Sequence, residues 1–234
     1  MDEHPLEAFA FDAAELDLAR AAMEESGLLL VGEPHGARET PSVLWTLASV
    51  LDTRALAFEW SYDELGGFVR EFIRSGSFDF DELWQLPESA ELFSGDGRFT
   101  AGHFALLQRL HDEGRLDQVI LFDRLDPGPD PEDWRVRDRD MAERLLEQWD
   151  GRARLLVLVG GGHARLDAGA TMAAHISRKL PLRPAMIDYA SGRCWSRGLH
   201  DIAGSLPAAP IRFCVPESTP AVVPGKTVSR PQKP

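Results

Sequence analysis

Residues 28–39, LLLVGEPHGARE, carry an apolar strand-like run into Gly32 and follow it with Glu33, His35 and Glu39, two carboxylates and an imidazole where a buried strand would surface. Residues 155–163, LLVLVGGGH, repeat the plan: branched apolar residues, glycines that let the backbone turn tightly, then His163. Imidazole titrates near neutrality, and a neighbouring carboxylate fixes its tautomer and raises its basicity. His35, supported by Glu33 or Glu59, is therefore expected to activate water as a general base, and His163 to protonate a leaving group. Glu59 closes the run ALAFEW at 55–60. An acid at the end of a buried strand is costly unless paired or solvated, so it is either part of the site or ion-paired with Arg137. Arg137 is placed in the site because a guanidinium binds a carboxylate or a developing oxyanion in bidentate fashion. Both histidines also end a GxxH string, and His35, His163 and Glu59 form an alternative ligand set for a divalent zinc, manganese or iron ion. No HExxH or cysteine cluster adds to that reading, no GxSxG marks a serine nucleophile, and the glycines do not read GxGxxG.

The elements that would hold these residues alternate. A helix is predicted over 12–26, capped by Asp12 with Glu15 in capping-box spacing and stopped by Gly27. A strand at 28–32 follows, then a helix with Thr40 as N-cap and Pro41 as first residue, then the strand at 55–60. Ser61 and Glu64 suggest another capping box, opening a helix that ends near Gly76. The stretch 77–100 lacks periodicity and reads as short helices and loops, a candidate lid. Beyond it are a helix from Thr100 to Gly114, a strand QVILFD at 118–123, a long amphipathic helix to about 149, and a strand at 154–160. A helix at 168–179 and strands at 184–189 and 211–215 complete the pattern. Strands that are continuously apolar and alternate with helices predict an α/β fold, a mainly parallel sheet covered by helices on both faces. Such sheets bind ligands beyond the carboxyl ends of their strands, where Glu33, His35, Glu59, Asp123, His163 and Asp188 all fall.

Composition narrows the partners. A net charge of −13 argues against a sequence-independent grip on nucleic acid or anionic lipid, so a small-molecule substrate is expected and neither nucleic acid nor membrane. Cys194 and Cys214 are too few for a disulfide scaffold and are expected to be free thiols. The acidic N-terminus lacks the layout of a signal peptide and no apolar run approaches roughly 18 residues, which points to a cytoplasmic protein. Residues 1–215 are read as one domain and 216–234, PESTPAVVPGKTVSRPQKP, as a disordered tail.

GEPHG at 32–36, the acid at Glu59, RDRDMA at 137–142 and GGGH at 160–163 together resemble the erythromycin esterase and ChaN-like superfamily, distantly related to the Tiki and TraB proteins. The resemblance covers residues 28–165. It implies a site built from the first histidine motif, the second acid, the Arg-Asp motif and the last histidine. Erythromycin esterases hydrolyse a macrolide lactone, ChaN-like proteins are associated with iron or haem, and Tiki proteins are metal-dependent proteases. The expectation is a hydrolase-like enzyme acting on an ester, lactone or amide, with no cofactor fixed by the sequence and a divalent metal ion ahead of haem as the candidate. The alternatives are a lyase or cyclase of natural-product metabolism, and a metal- or haem-binding protein without turnover.

Overall fold

The structure, a computed structural model, describes residues 6–86, 95, 97–124, 130–202 and 209–221. Helix α1 (Ala13–Ser26) starts where Asp12 accepts from the backbone N–H of Ala14 and stops at Gly27, whose φ of 75° is left-handed. Glu15 does not complete the expected capping box, because its carboxylate accepts instead from the backbone N–H of Arg212. Strand β1 (Leu28–Glu33) is buried at every position. Helix α2 (Thr40–Val50) leads to strand β2 (Ala55–Ser61), and α3 (Tyr62–Ser75) leads to the short α4 (Phe80–Gln85). After these come α5 (Ala101–Asp112), strand β3 (Gln118–Asp123), α6 (Pro131–Gln148) and strand β4 (Leu155–Gly160). The chain closes with α7 (Met172–Ser177), β5 (Ala185–Tyr189), a hairpin of β6 (Arg193–Trp195) and β7 (Leu199–Asp201), and β8 (Ile211–Val215).

Six strands form one parallel sheet in the order β3-β2-β4-β1-β5-β8, as continuous apolar runs require when both faces are covered. On one face Leu29, Val31, Phe58 and Leu158 pack with residues of α1, α2, α3 and α5; on the other, Leu30, Ala57, Phe122 and Val157 pack with α6 and α7. The consequence lies at the carboxyl ends. β1 and β2 leave toward the first set of helices, β3 and β4 toward the second, so the strands β3-β2-β4-β1 exit alternately to opposite faces. That arrangement opens a crevice along the edge where ligands bind in this class of sheet.

Three details differ from the sequence expectation. Thr40 is the first residue of α2 rather than its cap, because its hydroxyl is taken by Tyr189. Residues 161–171 are turns, which shorten the helix expected from 168 to α7. The antiparallel β6–β7 hairpin was not expected; three-residue strands leave almost no pattern to read. The ordered chain also runs past the boundary expected at 215: Ser218 is buried, Pro220 bridges to Ala37, and the Glu39 carboxylate accepts from the N–H and hydroxyl of Thr219. Glu39 is thereby a fastening for this segment. Residues 222–234 and, within the candidate lid, residues 87–94 and 96 lie outside the described residues. No described helix is long and apolar enough to cross a membrane.

Candidate functional site

All five residues expected to do chemistry meet at the carboxyl edge of the sheet. Glu33 ends β1 and Glu59 lies two residues before the end of β2, His35 and His163 sit in the turns after β1 and β4, and Arg137 projects from the first half of α6. Glu59 is the centre. Its Oε2 lies 3.6 Å from His35 Nε2 and its Oε1 3.6 Å from His163 Nε2. The far nitrogen of each imidazole is held by another carboxylate: His35 Nδ1 lies 3.1 Å from Glu33 Oε1, and His163 Nδ1 lies 2.7 Å from Asp138 Oδ1. The backbone N–H of Gly160 donates to Glu59 Oε2 at 2.7 Å and fixes the central carboxylate.

Arg137 does not reach toward a substrate as expected. Its Nε and Nη2 donate to Asp123 at 2.8 and 2.6 Å, Nη2 also to Glu59 at 2.7 Å, and Nη1 lies 3.0 Å from His163 Nε2. With the guanidinium buried and these bonds made, it is a structural charge that holds Glu59 and His163 in place. Because a guanidinium has no lone pair to offer, His163 Nε2 accepts from Arg137, and its proton resides on Nδ1 facing Asp138. That counts against the acid role expected of His163: in the neutral ring no proton is carried on the edge that faces the centre.

Arg98, Asp123 and Asp138 complete the cluster. Arg98 donates to Asp123 at 2.5 Å and to Glu59 at 3.3 Å, from the stretch before α5 that has no periodicity to flag it. Asp123 stands at a strand end, the one signal that marks it in sequence, and Asp138 carries the signal of the Arg-Asp motif. Asp138 also accepts from the backbone N–H of Met172, tying α6 to the start of α7. Asp188 is not part of the site; on β5 it pairs with Arg212 of β8 at 2.6 Å.

The carboxylates divide by environment. Burial pushes Glu59 up, but His163 and His35 whenever they are protonated, together with the permanent charges of Arg98 and Arg137, outweigh it and hold its carboxyl well below the usual range. Glu59 is therefore an ionised partner and a poor proton acceptor. Glu33 goes the other way: burial raises it above the ordinary 4.5, and its bonds to His35 only partly oppose this. A raised native pKa means the folded chain holds a proton that the unfolded chain has lost, so this group costs stability as pH rises from about 4.5 through its native value. Glu33→Gln should remove that cost, and melting curves from pH 4 to 8 are expected to show the variant gaining on the wild type as pH rises. A constant difference across the range would contradict the assignment.

The site closes this tightly because residue 160 is glycine. A Cβ there would stand 2.8 Å from His35 Nε2 and 3.4 Å from Glu59 Oε2. Gly160→Ala is expected to displace the imidazole and lower turnover by about a hundredfold with the fold retained, since misplacement by about 1 Å has that effect. Steady-state kinetics beside a thermal melt checks it. On the other side of His35, Gly36 has φ 77°, and a Cβ would fall 1.7 Å from the carbonyl oxygen of Trp195, so the β6–β7 hairpin seats directly on this turn.

The expected metal set, His35, His163 and Glu59, does not fit. Arg137 already donates to Glu59 Oε1 and to His163 Nε2, so those lone pairs face a fixed cation in place of a metal ion. Among the described residues no group of three or more histidine, cysteine or acidic side chains is arranged to hold a metal. Thiolate chemistry is also unsupported at Cys194, whose thiol is pushed up by burial and by Glu33.

No protein-family model matches the chain, and no curated protein matches its sequence. Solved structures share its fold, two of them as follows. One is a protein of Bacillus cereus, 9% identical over 96% of both chains, with a TM-score of 0.66. The other is the C-terminal region of Pasteurella multocida toxin, described as holding a thiol-protease-like catalytic triad, 12% identical over 83% of this chain and 26% of that one, with a TM-score of 0.52. At such identities the likeness is one of fold, and it supports the α/β architecture.

Proposed function

We propose that this protein is a hydrolase acting on an ester, lactone or amide of a small molecule, the chemistry that the resemblance to erythromycin esterases also implies. The observation that carries the reading is His35, with Glu33 on Nδ1 and the ionised Glu59 facing Nε2. In the neutral ring Nδ1–H donates to Glu33, leaving the Nε2 lone pair toward the centre. A water bound between Nε2 and a substrate carbonyl gives its proton to Nε2 as its oxygen attacks the carbon. The resulting imidazolium lies between two carboxylates, as in triad hydrolases where an acid stabilises the charged histidine. The same proton then passes from Nε2 to the departing oxygen or nitrogen, so His35 serves as base and then acid. His163 and Arg137 hold Glu59 and take no proton.

A panel of aryl esters, lactones and anilides tests this, with His35→Gln purified alongside the wild type. Hydrolysis by the wild type and its loss in the variant is the expected result. Release that is equal in both preparations, or absent throughout, would overturn the proposal.

A further inference from the structure

The turn that carries His35 is gripped by two segments the chemistry above does not use. Gly36 follows the imidazole directly, and its carbonyl oxygen accepts two backbone N–H groups, from Trp195 of β6 at 3.0 Å and from Ala221 at 2.8 Å. Both lone pairs of that oxygen are thereby taken, each by a part of the chain far away in sequence. The rest of the turn is tied to the same C-terminal segment. Thr219 accepts at its carbonyl from the N–H of Arg38 at 2.9 Å, Pro220 bridges to Ala37, and the Glu39 carboxylate receives the N–H and hydroxyl of Thr219 at 3.0 and 2.6 Å.

That segment also grips the root of the β6–β7 hairpin. Ser218 is buried; its N–H donates to the carbonyl of Ser191 at 2.9 Å, its carbonyl accepts from the N–H of Arg193 at 3.0 Å, and its hydroxyl donates to the carbonyl of Arg193 at 3.0 Å. Residues 218–221 therefore join two walls, the turn after β1 and the start of β6. The ties bear on the imidazole because of how little else sets its place against Glu59. At 3.6 Å, His35 Nε2 stands farther from Glu59 Oε2 than a hydrogen bond reaches, so that separation follows from the backbone on either side of residue 35. On the N-terminal side the backbone is fixed by the end of β1 at Glu33 and by the ring of Pro34, which restricts φ. On the C-terminal side it is fixed by the bonds to Trp195 and to residues 219–221.

We infer that residues 218–221 are a clamp: by pinning residues 36–39 to the β6–β7 hairpin they hold the His35 imidazole in place against Glu59. Thr219 and Ala221 are positioning residues, acting through the turn. The inference rests on His35 being the base of the proposed reaction, but its first test does not.

In the full chain, Ala221→Pro deletes the N–H that this segment gives to Gly36, and Glu39→Ala deletes the acceptor of Thr219, whereas Ala221→Ser and Glu39→Gln keep those bonds. Amide hydrogen exchange read by mass spectrometry reports the order of the turn without reference to turnover. In Ala221→Pro and Glu39→Ala the amides of residues 35–39 are expected to exchange about tenfold faster than in the wild type, while β2 and β4 keep their protection. On a substrate that the wild type hydrolyses, kcat should fall about ten- to a hundredfold in these two variants with KM unchanged, the signature of a misplaced base. Ala221→Ser and Glu39→Gln should keep wild-type exchange and kcat. Unchanged exchange at 35–39 in both disrupting variants would overturn the inference, as would faster exchange with an unchanged kcat, or a loss in Ala221→Ser and Glu39→Gln as large as in the disrupting pair. Faster exchange at 35–39 in a protein that hydrolyses nothing on the panel would support the clamp on the turn and overturn the hydrolase reading alone.

Discussion

His35→Gln is expected to lower turnover by about 10²- to 10⁴-fold, the range for removing a general base, while unfolding free energy changes by about 1 kcal/mol or less. Glutamine is close in size, and the imidazole is only partly buried, so little packing is lost. The chemical loss is complete by comparison, because the amide offers no lone pair that can carry a proton through the reaction. His163→Gln is the informative contrast. Its ring bridges Asp138 and Arg137 and holds no proton at Nε2, so its removal should reduce turnover by a smaller factor and destabilise the fold more than His35→Gln does. Equal losses of turnover at the two positions would mean that the histidines share the proton chemistry.

The second large effect is on stability. Arg137→Met is expected to cost about 3–5 kcal/mol, the penalty for leaving buried charges without their partner. Asp123 and Glu59 are almost completely buried, and the variant leaves them with the Arg98 guanidinium and, for Glu59, the Gly160 N–H and the flanking histidines. The loss should depend on pH in a definite sense. Glu59 is held below its ordinary 4.5 in the wild type, so its contribution is fully present above that value and is lost as pH falls below it. The gap between wild type and variant is therefore expected to be largest near neutrality and to narrow on acidification below about pH 4.5, as urea unfolding at several pH values would show. A gap that widens in acid would contradict this account of Arg137.

The sequence made the positions of β1 to β4 and the acids and histidines at their ends legible, because buried parallel strands leave long apolar runs and the residue after such a run stands where a ligand binds. Roles were less legible than places. Arg137 looks like a substrate-binding cation in one dimension; only the fold shows Asp123, Glu59 and His163 around it, each from a different strand end or turn. Arg98 left no signal, since neither apolar periodicity nor a motif surrounds it. The fastening of Thr219 by Glu39 was hidden for another reason: tail-like composition describes what a segment cannot bury alone, and here it binds to a surface the rest of the chain supplies.

The central claim, that His35 delivers water to a carbonyl, is tested most directly by running turnover in oxygen-18 water and weighing the products. Hydrolysis places one labelled oxygen in the acid product of the wild type, and His35→Gln should form that labelled product at least a hundredfold more slowly. Products carrying no oxygen from water would contradict the claim, and would show that His35 moves a proton in elimination or cyclisation instead.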